Sequence, residues 1–141
     1  MTETTDTRST TAPPPTVWPA FRARDARALI RFLVDALGFE ETAVYGEGDV
    51  VQHAQLSWPP GGGVMLGSVR DDEGWTVAPG GTGCYLVSDD VDALFDRAVA
   101  ARAEVFRPLQ DTDYGGREFA VRDPEGNLWS VGSYRGEPRR S

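Results

Sequence analysis

The two halves of this sequence match each other when the first is shifted by 65 residues. Matched positions have similar chemical character: Asp25 and Asp90, Ala28 and Ala93, Leu29 and Leu94, Val34 and Val99, Phe21 and Leu86, Leu56 and Val121, and Leu66 and Val131. Self-similarity at a fixed period indicates a duplicated structural unit. One unit alone would leave a sheet face bare, so we expect the two units to pack together.

Each half has the pattern of a strand, a helix and three further strands. In the first half Asp25 is the expected helix N-cap and Gly38 the expected stop, on either side of apolar residues at helical spacing. Its predicted strands are Val17–Arg22, Phe39–Tyr45, Val50–Trp58 and Gly63–Val69. The second half is predicted to contain a strand at Thr82–Ser88, a helix capped by Asp89 or Asp90, and strands at Glu104–Leu109, Gly116–Arg122 and Asn127–Tyr134.

These patterns predict one domain at residues 16–135, flanked by tails. Module 1 is expected at about 16–69 and module 2 at about 82–135, joined by a linker at 70–81. The Thr- and Pro-rich segment 1–15 is expected to be a disordered tail, and 136–141 a polar C-terminal tail.

The composition argues against several classes of protein. The 22 acidic and 14 basic residues, all of the latter Arg, give a net charge of −8, which disfavours a nucleic-acid surface. Cys84 is the single cysteine, so a disulfide within the chain and a cysteine-rich zinc site are excluded. No apolar run approaches the roughly 20 residues that span a bilayer, and no secretory signal is visible. We therefore expect a soluble, cytoplasmic protein with no membrane partner.

Three segments resemble the vicinal oxygen chelate superfamily, which includes glyoxalases, extradiol dioxygenases, and fosfomycin and bleomycin resistance proteins. They are RDARALIRFLVDALGF (24–39), SDDVDALFDRAVAARAEV (88–105) and REFAVRDPEGNLWSVGSY (117–134). The whole chain is most similar to the metal-poor, glyoxalase-like branch. The resemblance implies an α+β fold of two tandem βαβββ modules, with curled mixed sheets around a central cavity and helices on the outer face. It also implies a homodimer.

The resemblance further implies where a metal ion would bind. Metal enzymes of the superfamily use His, Glu or Gln at four strand positions, which correspond here to Trp18, Met65, Gly83 and Ser130. None of these is a usual ligand for a divalent cation. The sequence therefore predicts no metal and no cofactor, unless a shift in register recruits His53, Gln55 and Glu118 instead.

Strand alternation separates a helix-packed face from a cavity face, because successive side chains point to opposite sides. The helix-packed set is Leu56, Val64, Leu66, Val121, Trp129 and Val131. The complementary face is apolar and aromatic with a few polar groups, which is typical of a small-molecule pocket. The predicted ligand-binding residues are Trp18, Arg22, His53, Gln55, Met65, Tyr85, Glu118, Ser130 and Tyr134. Packing or hydrogen bonding alone would also account for each of them.

Three functions remain open from the sequence. The first is a metal-independent binding protein that sequesters an aromatic or cationic compound. The second is a metal-independent isomerase or lyase in which Glu118 or His53 acts as general base beside a tyrosine. The third is a divalent-metal lyase or dioxygenase built on His53, Gln55 and Glu118. Whether the protein is an enzyme is left undecided, as is the identity of its ligand.

Overall fold

The secondary structure follows the order that the two halves predict. The computed structural model describes residues 14–71, 74–75 and 77–140. Within this part of the chain, the elements are β1 (Ala20–Ala23), α1 (Ala26–Leu37), β2 (Glu40–Glu47), β3 (Val50–Ser57), β4 (Gly63–Ser68), β5 (Gly83–Val87), α2 (Val91–Ala100), β6 (Glu104–Asp111), β7 (Arg117–Arg122) and β8 (Leu128–Gly132). They form two mixed four-stranded sheets, ordered β1-β4-β3-β2 and β5-β8-β7-β6. The predicted α+β fold of two βαβββ modules is confirmed, and neither sheet is closed.

The strand register repeats with the sequence. Ala20 lies opposite Met65 in the parallel pair β1 and β4, and Tyr85 lies opposite Ser130 in the parallel pair β5 and β8. All four residues obey the 65-residue shift. The first part of strand β6 departs from it by one residue, since Val105 lies opposite Val121 where the shift would place Phe106, whereas Gln110 lies opposite Glu118 as the shift requires. Two register shifts in that strand pair account for the departure.

Both helices begin at the predicted aspartates. Asp25 accepts a hydrogen bond of 3.1 Å from the backbone N–H of Ala28, and Asp90 accepts one of 3.0 Å from Ala93. Asp90 rather than Asp89 is thus the cap of α2. Gly38 ends α1 with φ of 87°, a left-handed conformation that glycine adopts without steric cost.

The two modules share one hydrophobic core. Phe21 of the first module stacks on Trp129 of the second, with ring centroids 5.4 Å apart. Phe39 packs against Trp58 at 4.9 Å and against the edge of Trp129 at 5.7 Å. The helices α1 and α2 are in contact, and Arg97 of α2 donates hydrogen bonds to two carbonyl groups near the end of α1. The predicted helix-packed residues are all buried, which confirms the facing of the strands.

A buried aspartate organises the turn between β7 and β8. Oδ1 of Asp123 accepts hydrogen bonds from three successive backbone N–H groups, those of Glu125, Gly126 and Asn127. Its Oδ2 accepts from Nδ2 of Asn127 at 2.9 Å and from Nε1 of Trp129 at 2.8 Å. The carboxylate therefore ties the turn to the core.

The same turn reaches the other module through Glu125. Its carboxylate accepts hydrogen bonds from the backbone N–H groups of Arg24 and Asp25, at 2.9 and 2.8 Å. The Glu125 side chain is only 4% exposed. Because these groups lie at the start of α1, the contact fixes one module against the other and satisfies two helix-terminal donors.

Some predictions fall outside the described residues. Most of the predicted N-terminal tail lies there, at residues 1–13, as do positions 72, 73 and 76 of the predicted linker. The module and tail boundaries stay predictions. Among the described residues, neither helix has the length and apolar character needed to cross a membrane.

Candidate functional site

The nine predicted ligand-binding residues divide between the two modules. Five belong to the first module and four to the second: Trp18, Arg22, His53, Gln55 and Met65, and then Tyr85, Glu118, Ser130 and Tyr134. In the described part of the chain, no strand of one sheet pairs with a strand of the other. The structure therefore presents two candidate surfaces rather than one assembled set.

On the first sheet, the predicted residues form rows across the strands. Met65 lies between Ala20 and Gln55 in register. His53 lies opposite Tyr45, and their nearly parallel rings have centroids 6.3 Å apart. Both side chains are exposed to solvent.

Two other residues of the first module have contacts outside these rows. The guanidinium of Arg22 lies 5.2 Å from the ring centroid of Trp75, which belongs to the connection between the modules. Nε1 of Trp18 donates a hydrogen bond of 3.3 Å to the carbonyl of Pro15. Arg22 and Trp75 also line a small cavity of about 170 Å³ beside the connection.

On the second sheet, aromatic side chains lie close to Gly132. A side-chain carbon built on Gly132 would lie 3.0 Å from two ring atoms of Tyr85, so this ring covers the glycine. Glu118 lies opposite Gly132 in register and therefore on the same face. Tyr134 follows two residues after Gly132, and its ring meets the Tyr114 ring edge-on at 5.6 Å. We call Tyr85, Tyr114, Tyr134 and Glu118 the tyrosine cluster.

Hydrogen bonds and charges connect the members of the tyrosine cluster. The hydroxyl of Tyr114 donates to Oε1 of Glu118 at 3.2 Å, and that of Tyr134 donates to Oε2 of Glu137 at 2.9 Å. Partial burial raises the pKa of Tyr85, a hydrogen bond with the Tyr134 backbone opposes this rise, and the negative charge of Glu118 adds to it. The hydrogen bond to Glu137 raises the pKa of Tyr134. Because both pKa values are raised, Tyr85 and Tyr134 are neutral at physiological pH.

The donors at the expected metal positions do not fit a divalent cation. Two of the four expected metal positions, Met65 and Ser130, are equivalent positions on β4 and β8. The residues opposite them in register are Ala20 and Tyr85. No carboxylate or imidazole stands at any of these places, nor at Trp18 or Gly83. Across the part of the chain that the structure describes, no three His, Cys, Asp or Glu residues come together as a metal site.

The alternative metal set is divided in the same way. His53 and Gln55 lie on β3 of the first sheet, whereas Glu118 lies on β7 of the second. Neither His53 nor Glu118 belongs to a group of metal-ligating residues, within the limits of the described ranges. The two proposed general bases consequently have separate surroundings, a stacked tyrosine for His53 and a tyrosine hydroxyl for Glu118.

A crevice of about 270 Å³ lies where the modules meet. The β3–β4 turn and the edge strand β5 form its walls. Nε1 of Trp58, in the first module, donates a hydrogen bond of 3.1 Å to the carbonyl of Val87, in the second. Its lining residues include Pro19, Phe39, Trp58, Val64, Cys84, Tyr85, Leu86 and Arg135. Burial raises the pKa of the Cys84 thiol to about 11, and the Asp123 charge contributes, so the thiol is a poor nucleophile. Tyr85 alone of the nine predicted residues lines this crevice.

Sequence reasoning did not identify Tyr114 as a site residue. Tyr114 lies in the turn before β7, where strand alternation assigns no face, and only the fold brings it to Glu118. An exposed tyrosine flanked by Asp113 and Gly115 in a turn is the one available signal. Trp58 sits at the end of a predicted strand, where its indole makes a contact with the other module.

The comparisons with known proteins identify the family. A model of the Glyoxalase/Bleomycin resistance protein/Dioxygenase superfamily matches residues 16–131. The chain belongs to this superfamily. The predicted relationship to the vicinal oxygen chelate proteins is therefore confirmed.

The chain is also similar to individual proteins. The crystal structure of TioX from Micromonospora sp. ML1 is 32% identical, with a TM-score of 0.64, and the match covers 82% of this chain and 94% of TioX. FosX from Listeria monocytogenes shares the fold at 16% identity, with a TM-score of 0.59, and the match covers 83% of this chain and 90% of FosX. FosX is a fosfomycin resistance protein, and its structure was solved in complex with Mn(II) and a dihydroxypropylphosphonic acid. Mb0911c from Mycobacterium bovis is 46% identical over 48 residues, a match that covers 34% of this chain and 32% of that protein.

Proposed function

We propose that this protein binds and sequesters a small aromatic or cationic compound without a metal ion. The observation that carries the proposal is the exposure of aromatic side chains on and beside the open face of the second sheet and in the connection between the modules. Tyr85 and Tyr134 are each 43% exposed and Trp75 is 44% exposed. Several large aromatic side chains that remain exposed to solvent are typical of a binding surface.

The chemistry of the available side chains supports binding without a metal. The strand positions that would supply metal ligands hold Trp, Met, Gly and Ser, and no group of metal-ligating residues forms within the described ranges. Aromatic rings and a few polar groups are what small-molecule sites use for recognition. The superfamily membership is compatible with this proposal, because resistance proteins belong to it together with enzymes.

The test is a screen of the purified full-length chain. Thermal-shift measurements with planar cations, neutral aromatics and anionic metabolites, followed by calorimetry of the hits, should give at least one ligand from the first two classes. The same titration after removal of metals with a chelator should give an unchanged affinity. Stabilisation by anionic metabolites alone, or a requirement for added metal, would contradict the proposal.

One observation favours a second candidate function, a proton-transfer isomerase or lyase. The hydrogen bond of 3.2 Å from Tyr114 to Glu118 places a phenol beside a carboxylate, which are the two groups such a reaction uses. If this candidate is correct, nuclear magnetic resonance should show the ligand converted to product, and Glu118→Gln or His53→Ala should stop conversion in a folded protein. A ligand that remains unchanged, or turnover that survives both substitutions, would rule it out.

We also propose that the protein is a cytoplasmic homodimer without nucleic-acid partners. The open sheet faces of a single chain support a second subunit, since a partner would enclose them and complete a cavity. Analytical ultracentrifugation should give a mass near twice 15.3 kDa at micromolar concentration. Cell fractionation should recover the protein in the cytoplasm.

A further inference from the structure

The tyrosine cluster has a chemical character that the fold does not require. The first module contains the equivalent strands, and its positions equivalent to the cluster hold Ala20, Asp49, Val69 and His53. No aromatic ring stands in the places of the three tyrosines. The second module has therefore acquired a set of rings and a carboxylate that packing alone does not explain.

The cluster is accessible to a ligand. Tyr114 is 62% exposed, and Tyr85 and Tyr134 are 43% exposed each. Their rings are nonetheless held in place, because Tyr114 bonds to Glu118 and packs edge-on against Tyr134, while the Tyr85 ring lies across Gly132. Restrained aromatic side chains cost less entropy when a ligand binds.

The charge around the cluster is negative. Glu118 lies on the same sheet face as the ring of Tyr85, and Glu137 accepts the Tyr134 hydroxyl hydrogen bond. The neighbouring arginines are engaged elsewhere: Arg117 contacts Asp92 and Asp111, and Arg135 contacts Asp89. The chain as a whole carries −8. Negative ring faces together with a carboxylate attract a weakly hydrated cation.

We propose that the tyrosine cluster binds the cationic group of the ligand, and that the ligand class is a small organic cation such as a quaternary ammonium or an N-alkylated aromatic ring. This inference rests on the proposed function, that the chain binds a small molecule. It adds that the second module supplies charge recognition. Glu118 is the residue that sets the preference for a positive charge, and the rings supply the contact area.

The experiment compares two probes that share one ring system and differ in charge and in a single methyl group. N-methylquinolinium is a permanent cation, and quinoline is its neutral counterpart at pH 8. Calorimetric titration of the full chain should show the cation bound about tenfold more tightly than quinoline, the size of effect expected of one cation–π and carboxylate site. Equal affinities, or tighter binding of quinoline, would overturn the inference.

Matched variants test whether the cluster is responsible. Glu118→Gln should remove most of the preference for the cation, whereas Glu47→Gln, an equal change of charge on the first sheet, should retain it. Tyr114→Leu should weaken binding of both probes about threefold to tenfold. Tyr45→Leu, at a site that is 61% exposed against 62% for Tyr114, should leave binding unchanged. A preference that survives Glu118→Gln, or that is lost equally in both glutamate variants, would overturn the inference.

Failure of this inference is distinguishable from failure of the proposed function. If the wider screen finds a ligand but charge has no effect on affinity, the protein is a binding protein and the cation assignment is wrong. If neither the probes nor the screen gives binding, the proposed function itself fails. Thermal unfolding of each variant verifies folding, which substitutions at these exposed or half-buried positions should not affect.

Discussion

Replacing Asp123 by Asn should destabilise the protein far more than the loss of one charge suggests. The carboxylate accepts five hydrogen bonds, three at Oδ1 and two at Oδ2, and its residue is 4% exposed. An amide has one oxygen and one NH₂ group. In either orientation the NH₂ group faces N–H donors, so no rotamer of Asn satisfies the site.

The expected cost follows from the donors that lose their acceptor. With the amide oxygen at the Oδ1 position, Nδ2 of Asn127 and Nε1 of Trp129 are left unpaired in the core. A buried unpaired donor costs about 1–3 kcal/mol, so the free energy of unfolding should fall by about 3 kcal/mol. A small domain has only about 5–15 kcal/mol in total.

Urea denaturation followed by tryptophan fluorescence measures this loss as a shift in the unfolding midpoint. Asp96→Asn, on the exposed surface of α2, is the control and should change stability by less than about 0.5 kcal/mol. A double-mutant cycle with Trp129→Phe should show coupling of about 1–2 kcal/mol, because Phe removes the donor that Asn leaves unpaired. A loss below about 1 kcal/mol for Asp123→Asn, or no coupling, would refute the reasoning.

Three further predictions concern other parts of the structure. Gly132→Ala should displace the Tyr85 ring and weaken binding of the N-methylquinolinium probe. Its free energy of unfolding should fall by less than about 1 kcal/mol, because only the end of one side chain must move. Gly83→Ala is the control and should bind the probe normally in the same titration, because its added carbon meets nothing closer than 3.9 Å. Glu125→Ala should lower the unfolding free energy measured in urea by about 2 kcal/mol, because two backbone donors at the start of α1 lose their acceptor; an unchanged midpoint would contradict this. The pKa of the Cys84 thiol is about 11 in the folded protein and about 8.5, its ordinary value, in the unfolded chain. As the pH rises between these two values, the unfolded chain loses the proton first, so the free energy of unfolding should fall over this range. Comparison with Cys84→Ala, which should lack this part of the decline, separates it from tyrosine ionisation.

Local chemistry made much of the fold predictable. Asp25 and Asp90 were recognisable as helix caps, and Gly38 as a helix stop, because these roles depend on the residue and its immediate neighbours. The 65-residue repeat also agrees with the strand register, in which Ala20 lies opposite Met65 and Tyr85 lies opposite Ser130. The one-residue departure of β6 was not predictable, because it results from register shifts that depend on the partner strand.

The candidate site was predictable only in part. Alternation correctly separated buried strand positions from the opposite face, since side-chain direction in a strand follows from position alone. It did not show that the predicted residues belong to two separate sheets, nor that Tyr114 reaches Glu118 from a turn. Such contacts arise when distant segments pack together.

The amino-acid sequence by itself therefore determined the order of elements, the duplication of the module and the superfamily. The order of elements and the duplication follow from periodicity, capping and spacing, which act over a few residues and repeat along the chain, whereas the superfamily follows from the resemblance of three segments to its members. The tertiary structure alone decided how the modules join, through the Glu125 carboxylate and the stacked rings of Phe21 and Trp129. It also decided that three tyrosines and Glu118 share one open face, because contacts between residues far apart in sequence exist only once the sheets have formed.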